Sequence, residues 1–430
     1  MRTHFRAEQL ADPALAVAEK NLRACVHCGI CTATCPTYVL LGDERDSPRG
    51  RIVMMQQMLE AGGAPTPETV HHLDRCLSCL GCRTACPSGV DYARLIDQSR
   101  THIQQHYRRP ITDRLLRWTI ANVLTRPAFT RAALRFARLA SPLSAFLPRR
   151  MRNLADVAIA TPVGRLKLRT VAGERRIALL PGCVQQVVAP EIDEAVARLL
   201  ARRGISLVPL SGAACCGALA HHLGREVEAK AWATRMIEAF ERAGGSDMFE
   251  GILITATGCA AHIHEHDHLF LGEPDWRARA KTFSAKLMPL EALIGTAKGT
   301  APSRLRVALQ VPCSQQHGLG WPDDGTLLRE AGFEVLPIPE GHLCCGSAGS
   351  YSILQPEIAN ALRDRKLGNI RSVKPDLVAT SNVGCLQHLS GPDAPPIVHI
   401  AELLDWAEGG PTPKALRARG QLMAVDEAVG

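Results

Sequence analysis

Apolar positions along this chain follow two rhythms. In the second half, short apolar runs recur: RRIALLPGC, RGISLVPLSGAACCG and GILITATGC, then LRVALQVPC, AGFEVLPIPEGHLCCG and DLVATSNVGC. Runs of this length, bounded by turn residues, predict buried strands. The two sets match in order and in their closing cysteines, so this half is an internal duplication. Each copy reads strand, helix, strand, loop, helix, strand, which predicts an α/β unit with a mostly parallel sheet. Upstream, RGRIVMMQQMLEAGG has helical periodicity and a glycine stop. The segment ITDRLLRWTIANVLTRPAFTRAALRFARLASPLSAFLPRR is a basic, partly amphipathic helical stretch broken by Pro127, Pro142 and Pro148.

These patterns predict an α+β multi-domain protein. A helical two-cluster ferredoxin-like domain (1–105) and a basic helical linker (106–172) precede two duplicated α/β cysteine-rich repeats (173–298 and 303–408). A tail (409–430) contains Gly-Gly-Pro and small polar residues and is expected to be unordered.

All sixteen cysteines fall into pattern. Cys25-x2-Cys28-x2-Cys31-x3-Cys35-Pro36 repeats as Cys76-x2-Cys79-x2-Cys82-x3-Cys86-Pro87, the bacterial two-cluster ferredoxin signature. Three thiolates at x2 spacing wrap three corners of one cubane, and the fourth, before proline, turns to the other. Cys25, Cys28, Cys31 and Cys86 are therefore assigned to one [4Fe-4S] cluster, and Cys76, Cys79, Cys82 and Cys35 to a second. Gly29 and Gly81 are expected where backbone passes close to the inorganic sulfide. Zinc sites more often use two separated pairs of ligands, so two complete runs of four with trailing proline favour iron–sulfur.

The remaining cysteines mark the duplication: Cys183, Cys215, Cys216 and Cys259 in the first copy, Cys313, Cys344, Cys345 and Cys385 in the second. The first gap spans 31 and 30 residues, the second 42 and 39. All lie just past strand ends, where parallel α/β sheets place their sites. Each set is a candidate metal site, and buried structural thiols are the alternative.

Charge adds one feature to this layout. The formal net charge is +8, and between Arg100 and Arg152 stand twelve arginines and one acid, Asp113. Such a stretch suits an acidic partner surface, a membrane surface near quinone or a solvated helical face; no nucleic-acid partner is expected. Arg23, Arg75 and Arg83, near the cluster cysteines, are expected to raise reduction potential. With 4% aromatic residues, a large aromatic-lined substrate pocket is disfavoured. No run of 18 apolar residues and no signal-peptide pattern appear. A cytoplasmic protein is expected, soluble or peripheral on the inner face of the plasma membrane. No G-x-G-x-x-G turn or Walker loop is present, so the organic substrate is not expected to be oxidised on this chain.

The two ferredoxin motifs with two Cys…Cys-Cys-Gly repeats resemble the iron–sulfur subunit family of glycolate oxidase (glycolate dehydrogenase). The most telling segments are LRACVHCGICTATCPTYVLLGDERDSPRGRI, HLDRCLSCLGCRTACPSGV, and HLCCGSAGSYSILQPEIANALRDRKLGNI with SNVGCLQHL. The resemblance implies FAD-binding partner subunits that oxidise glycolate to glyoxylate, with electrons leaving through this chain to a quinone or another acceptor. The cysteine architecture is shared with lactate-utilisation proteins, the small subunit of anaerobic glycerol-3-phosphate dehydrogenase and heterodisulfide reductase subunits. Lactate and glycerol 3-phosphate therefore remain alternative substrates, and a structural metal-bearing scaffold is an alternative role. In some relatives the cysteine-rich domain ends in Cys-x-x-Cys and binds a non-cubane four-iron cluster. Here the positions read Cys259-Ala-Ala-His262 and Cys385-Leu-Gln-His388, so His262 and His388 join the candidate ligands, with a cluster, zinc or no metal left open. His262, His264, His266 and His268 alternate with other residues in what reads as a polar surface tract, and His221 and His222 follow the first Cys-Cys-Gly.

Overall fold

A computed structural model describes residues 1–139, 161–168, 171, 173–213, 215–301, 304–321 and 323–417. The N-terminal hundred residues are helical throughout. Four helices, Pro13–Ala24, Pro36–Leu41, Pro48–Ala61 and Pro67–Asp74, open with proline at the first position, where its missing N–H costs nothing. Asp12, Ser47 and Thr66 cap three of them by accepting backbone N–H bonds. Cys35 occupies the cap position of the fourth, so Cys-Pro ends the first cysteine run by starting a helix. The expected helix over RGRIVMMQQMLEAGG is Pro48–Ala61, stopped by Gly62 at φ 69°. It packs with Pro13–Ala24 and Tyr92–His106 around Leu22, Met55, Leu59, Leu73 and Leu95.

The basic segment forms helices Ile111–Thr119 and Pro127–Leu139 joined through Ile120–Leu124. Its prolines 142 and 148 lie outside the described residues. Three of its arginines turn inward. Arg109 and Arg117 bond Asp74 and Asp113, and Arg100 donates to Ser78 Oγ and the Cys76 carbonyl. Asp74, remote in sequence, thus neutralises part of the stretch, so these three arginines do not belong to a solvated helical face.

In the first repeat, strands β1 (Arg175–Leu179), β2 (Ile205–Pro209) and β3 (Gly251–Leu253) form a parallel sheet in the order β2-β1-β3. In the second, β4 (Arg306–Gln310), β5 (Glu334–Pro337), β6 (Leu377–Thr380) and β7 (Ile397–His399) run parallel in the order β5-β4-β6-β7. Leu287 bridges Ile252 in parallel, occupying in the first repeat the place of β7. The repeats share one core. Ile177, Leu179 and Leu207 of one sheet and Val307, Leu377 and Val398 of the other belong to the same buried cluster. Helices Glu191–Ala201 and Ile400–Ala407 pack together, and Arg198 and Arg202 from the first reach the buried Asp405 of the second. The tail, expected to be unordered, packs as far as described: Lys414–Arg417 is helical and Leu416 is buried in the shared core. Residues 418–430 lie outside the described residues. Among the described residues, no helix is long and apolar enough to cross a membrane.

Candidate redox metal centres

Cys25, Cys28, Cys31 and Cys86 line one cavity, together with Cys82 of the other set, Gly29 and Tyr92. The structure thus brings the fourth cysteine of the second motif to the first three of the first. Burial, with Cys25, Cys86 and Cys28 beside it, pushes the Cys31 thiol up to about 11. The other crossed set also converges: Cys79 has Cys35 and Cys76 among its electrostatic neighbours, and Cys82 has Cys79, Cys76 and Cys35. Burial drives both thiols well above their ordinary range. Thiols so placed are poor free anions and become thiolate ligands where cations compensate them. Two groups of four soft donors suit iron–sulfur clusters.

Each motif alternates left-handed residues between its cysteines: His27 (φ 57°) and Gly29 (φ 81°) in the first, Ser78 (φ 52°) and Leu80 (φ 61°) in the second. The position matching Gly29 is Leu80, not Gly81, so a branched residue bears a conformation that costs roughly 1–2 kcal/mol. A Cβ on Gly81 would lie 3.3 Å from the Thr34 carbonyl of the other motif, whereas one on Gly29 would meet Arg49 Nη1 at 2.6 Å.

The arginines near the candidate ligand cysteines are mostly compensated. Arg75 pairs with Asp46, Arg83 with Glu265 and Asp91, and Arg23 with Glu19 at the surface. A guanidinium that reaches a candidate ligand sulfur is that of Arg51, which the sequence reading missed. It is buried, donates from Nη1 toward Cys35 Sγ at 3.8 Å, and is held by Asp46 Oδ1 and the His72 carbonyl. Its place on an apolar helix face, between Gly50 and Ile52, was the available signal.

In the second repeat, Cys313 Sγ lies 3.7 Å from Cys344 Sγ, and Cys345 Sγ 3.3 Å from Cys385 Sγ. In the first, Cys215 is flanked by Cys183 and Cys216, and Cys216 also bonds Cys259. The glycine of each Cys-Cys-Gly is left-handed, Gly217 at φ 90° and Gly346 at φ 96°. A Cβ there would meet a backbone oxygen, Ala229 O at 2.9 Å or Ala359 O at 2.5 Å, so the motif needs glycine for both conformation and space. A polar bridge missed by the sequence reading holds each loop. In the first repeat Gln185 and Thr255 both donate to the buried Asp193; in the second Ser381 Oγ donates to Gln315 Oε1 at 2.5 Å. Gln-Gln after the first cysteine of both copies was the signal.

The two histidines sit differently. His388 bonds the Ala359 carbonyl through Nε2. His262 is buried with Nε2 unpartnered, and its ring centroid lies 5.1 Å from His221, 6.2 Å from His222 and 5.0 Å from His266. His264 is exposed and His268 half-buried. Burial lowers His221, His222 and His266 to about 4, so all three are neutral at pH 7. The alternating tract is thus only partly a surface.

Neighbours distinguish the two repeats. Cys79 packs with Cys313, Cys344, Leu77 and Tyr351 in one apolar cluster, and the Tyr351 hydroxyl donates to the Arg75 carbonyl. The second repeat's thiols therefore adjoin the Cys35, Cys76, Cys79 and Cys82 site. The first repeat reaches the ferredoxin-like domain elsewhere: a Cβ on Gly224 would lie 2.2 Å from the Arg100 carbonyl.

Fold and thiol sets together define an iron–sulfur protein with a helical dicluster domain and a duplicated cysteine-rich domain. Residues 21–90 match the 4Fe-4S dicluster domain family, and residues 177–264 and 307–390 each match the Cysteine-rich domain family. The chain is 38% identical to the glycolate oxidase iron-sulfur subunit of Escherichia coli (strain K12), over 95% of this chain and 99% of that protein. It is 29% identical to the probable glycolate oxidase iron-sulfur subunit of Bacillus subtilis (strain 168), over 92% and 96% respectively. Lactate utilization protein A of Geobacillus kaustophilus (strain HTA426) is 31% identical over 54% of this chain and 98% of its own length. The chain belongs to the family of glycolate oxidase iron-sulfur subunits.

Proposed function

We propose that this chain is the electron-transfer subunit of a glycolate-oxidising complex. One [4Fe-4S] cluster would be held by Cys25, Cys28, Cys31 and Cys86, and one by Cys76, Cys79, Cys82 and Cys35. Bound there, the clusters would supply one-electron carriage. Glycolate would be oxidised to glyoxylate on FAD in partner subunits, and electrons would leave this chain for a quinone or another acceptor. The observation that carries this reading is the contiguity of three thiol groups, from the Cys28 site through the Cys79 site to Cys313 and Cys344. In the intact complex, Cys28→Ser or Cys79→Ser should abolish glycolate-to-acceptor activity while flavin stays bound to the partners. Full activity in either variant would sink the proposal.

The cysteine-rich thiols, with His262 and His388 nearby, are read as iron–sulfur or zinc sites. Metal analysis of anaerobically purified complex separates the cases: about eight irons per chain if only the ferredoxin motifs are loaded, about twelve to sixteen if the repeats also carry clusters. A lactate substrate is the second reading, favoured by the lactate-utilization relatives that match half the chain. Turnover of the complex with lactate but not glycolate would establish it.

Peripheral membrane contact through the basic helices completes the reading. Ile111 and Phe136 are 80% and 72% exposed, as are large parts of Leu115, Trp118, Phe129 and Leu139. Arg114 and Arg225 line a groove beside Leu115 and Trp118, where Arg109 and Arg117 are already paired with Asp74. Apolar side chains among arginines suit an anionic bilayer surface. The complex should sediment with phosphatidylglycerol vesicles, and Trp118→Ser with Phe136→Ser should release it. Equal sedimentation of variant and wild type would refute the assignment.

A further inference from the structure

The two cysteine motifs of the dicluster domain carry an apolar residue at the same place, directly after their first cysteine: Val26 in one and Leu77 in the other. Leu77 is 7% exposed, because the second cysteine-rich repeat covers it with Cys344, Tyr351, Ile358 and Leu362. What covers one half of this pseudo-symmetric domain is thus another thiol-rich site. At the other half the equivalent surface is bare among the described residues. Val26 is 67% and Ile30 53% exposed, and Cys28 between them is exposed.

This bare rim is built rather than loose. The N-terminal ammonium donates to the Cys25 carbonyl at 3.0 Å and the Arg23 carbonyl at 3.2 Å. Arg49 Nη1 reaches the His27 carbonyl at 3.5 Å, with its Nε on Glu44. His27 holds a left-handed φ of 57°, a conformation that persists only where the surroundings impose it. Two exposed aliphatic side chains on a fixed loop, with arginine at the margin, have the makeup of a protein-docking patch. The cavity behind them is lined by Cys25, Cys28, Cys31 and Cys86 and by Cys82 of the neighbouring set, so a cluster held there would leave little room for a separate small-molecule acceptor.

We propose that the Val26–Ile30 rim is the docking surface for the flavin-bearing electron donor, so that electrons enter at the Cys25, Cys28, Cys31 and Cys86 site and run toward the second repeat. The donor face it fits is apolar, matching Val26 and Ile30, with a mixed-charge margin opposite the Arg23–Glu19 and Arg49–Glu44 pairs. This inference rests on the electron-transfer reading for its direction, and its test separates the two. Full-length Val26→Asp and Ile30→Asp variants are prepared anaerobically, with Val227→Asp, at an exposed position on a helix of the first repeat, as control. Iron content and the dithionite-reduced paramagnetic resonance spectrum should match wild type in all three. Affinity for the FAD-binding partners, measured without substrate, should fall about tenfold or more in the two rim variants, ~1.4 kcal/mol, and stay unchanged in the control. A photo-crosslinker placed at position 30 should capture an FAD-binding subunit. Wild-type partner affinity in both rim variants, or crosslinking that never reaches a flavoprotein, would overturn the docking assignment. Clusters of the wild-type complex that reduce with dithionite but stay oxidised with glycolate would overturn the electron-transfer reading, while partner affinity would still decide the docking surface.

Discussion

The two cysteine-rich repeats share a parallel sheet, a left-handed Cys-Cys-Gly glycine and a polar bridge behind the first cysteine, yet their thiols keep different company. Those of the second repeat adjoin Cys79 and have a buried lysine, Lys366, among their electrostatic neighbours, with Nζ on the Glu340 carbonyl. Those of the first adjoin neutral histidines: the backbone of Cys216 bonds His266, and His262 stands on the helix of Cys259. A duplicated scaffold therefore fixes where four thiols meet, and the elements packed outside it fix what they can do. Burial pushes Lys366 below the usual lysine range, and where it keeps its proton it favours an anionic, reducible site at the four thiols. Neutral imidazoles lend no such charge.

This contrast can be broken experimentally, most forcefully at the thiols. Cys344→Ser in the second repeat should lower glycolate-to-acceptor turnover about tenfold or more, a barrier increase of ~1.4 kcal/mol, whereas Cys215→Ser in the first should leave most of it. Steady-state assays of the two complexes compare them directly, and equal losses would erase the distinction. Gly346→Ala should destabilise the chain more than Gly217→Ala, since the added Cβ meets backbone at 2.5 Å rather than 2.9 Å. Each should cost about 1–3 kcal/mol by denaturant titration.

Lys366→Met should lower the midpoint potential of a cluster bound in the second repeat, because a positive neighbour stabilises the reduced form. Redox titration reads the shift, and an unmoved potential would remove Lys366 from the account. The smallest effect concerns Asp193, which burial raises to about 7 although Thr255 and Gln185 hydrogen-bond it. Its unfolded value is near 3.8, so the folded state holds a proton that the unfolded state has lost between about pH 4 and 7. Its contribution is therefore complete below pH 4 and lost as pH rises through 7. Asp193→Asn should flatten that slope, and thermal unfolding across the window measures it.

The cysteine architecture was legible in the sequence because ligand spacing is a local constraint. Strand positions were legible because buried parallel strands are short apolar runs. What stayed hidden depends on contacts between distant segments. Arg100, Arg109 and Arg117 read as surface charge until Ser78, Cys76 and Asp74 fold against them. His262 and His266 belong to an alternating histidine tract that reads as surface, yet a helix end followed by a tight turn directs both inward. Leu80 escaped notice because the glycine beside it drew the expectation of special backbone. That the second repeat, not the first, touches the dicluster domain at Cys79 is a packing choice which near-identical sequence patterns do not encode.

The most direct test of the central account is rapid-freeze paramagnetic resonance on the anaerobic intact complex within one turnover of adding glycolate. The account predicts reduced-cluster signals that appear as the flavin is bleached and that vanish in Cys28→Ser. Flavin that is reduced and reoxidised over many turnovers, with the clusters oxidised throughout, would contradict it.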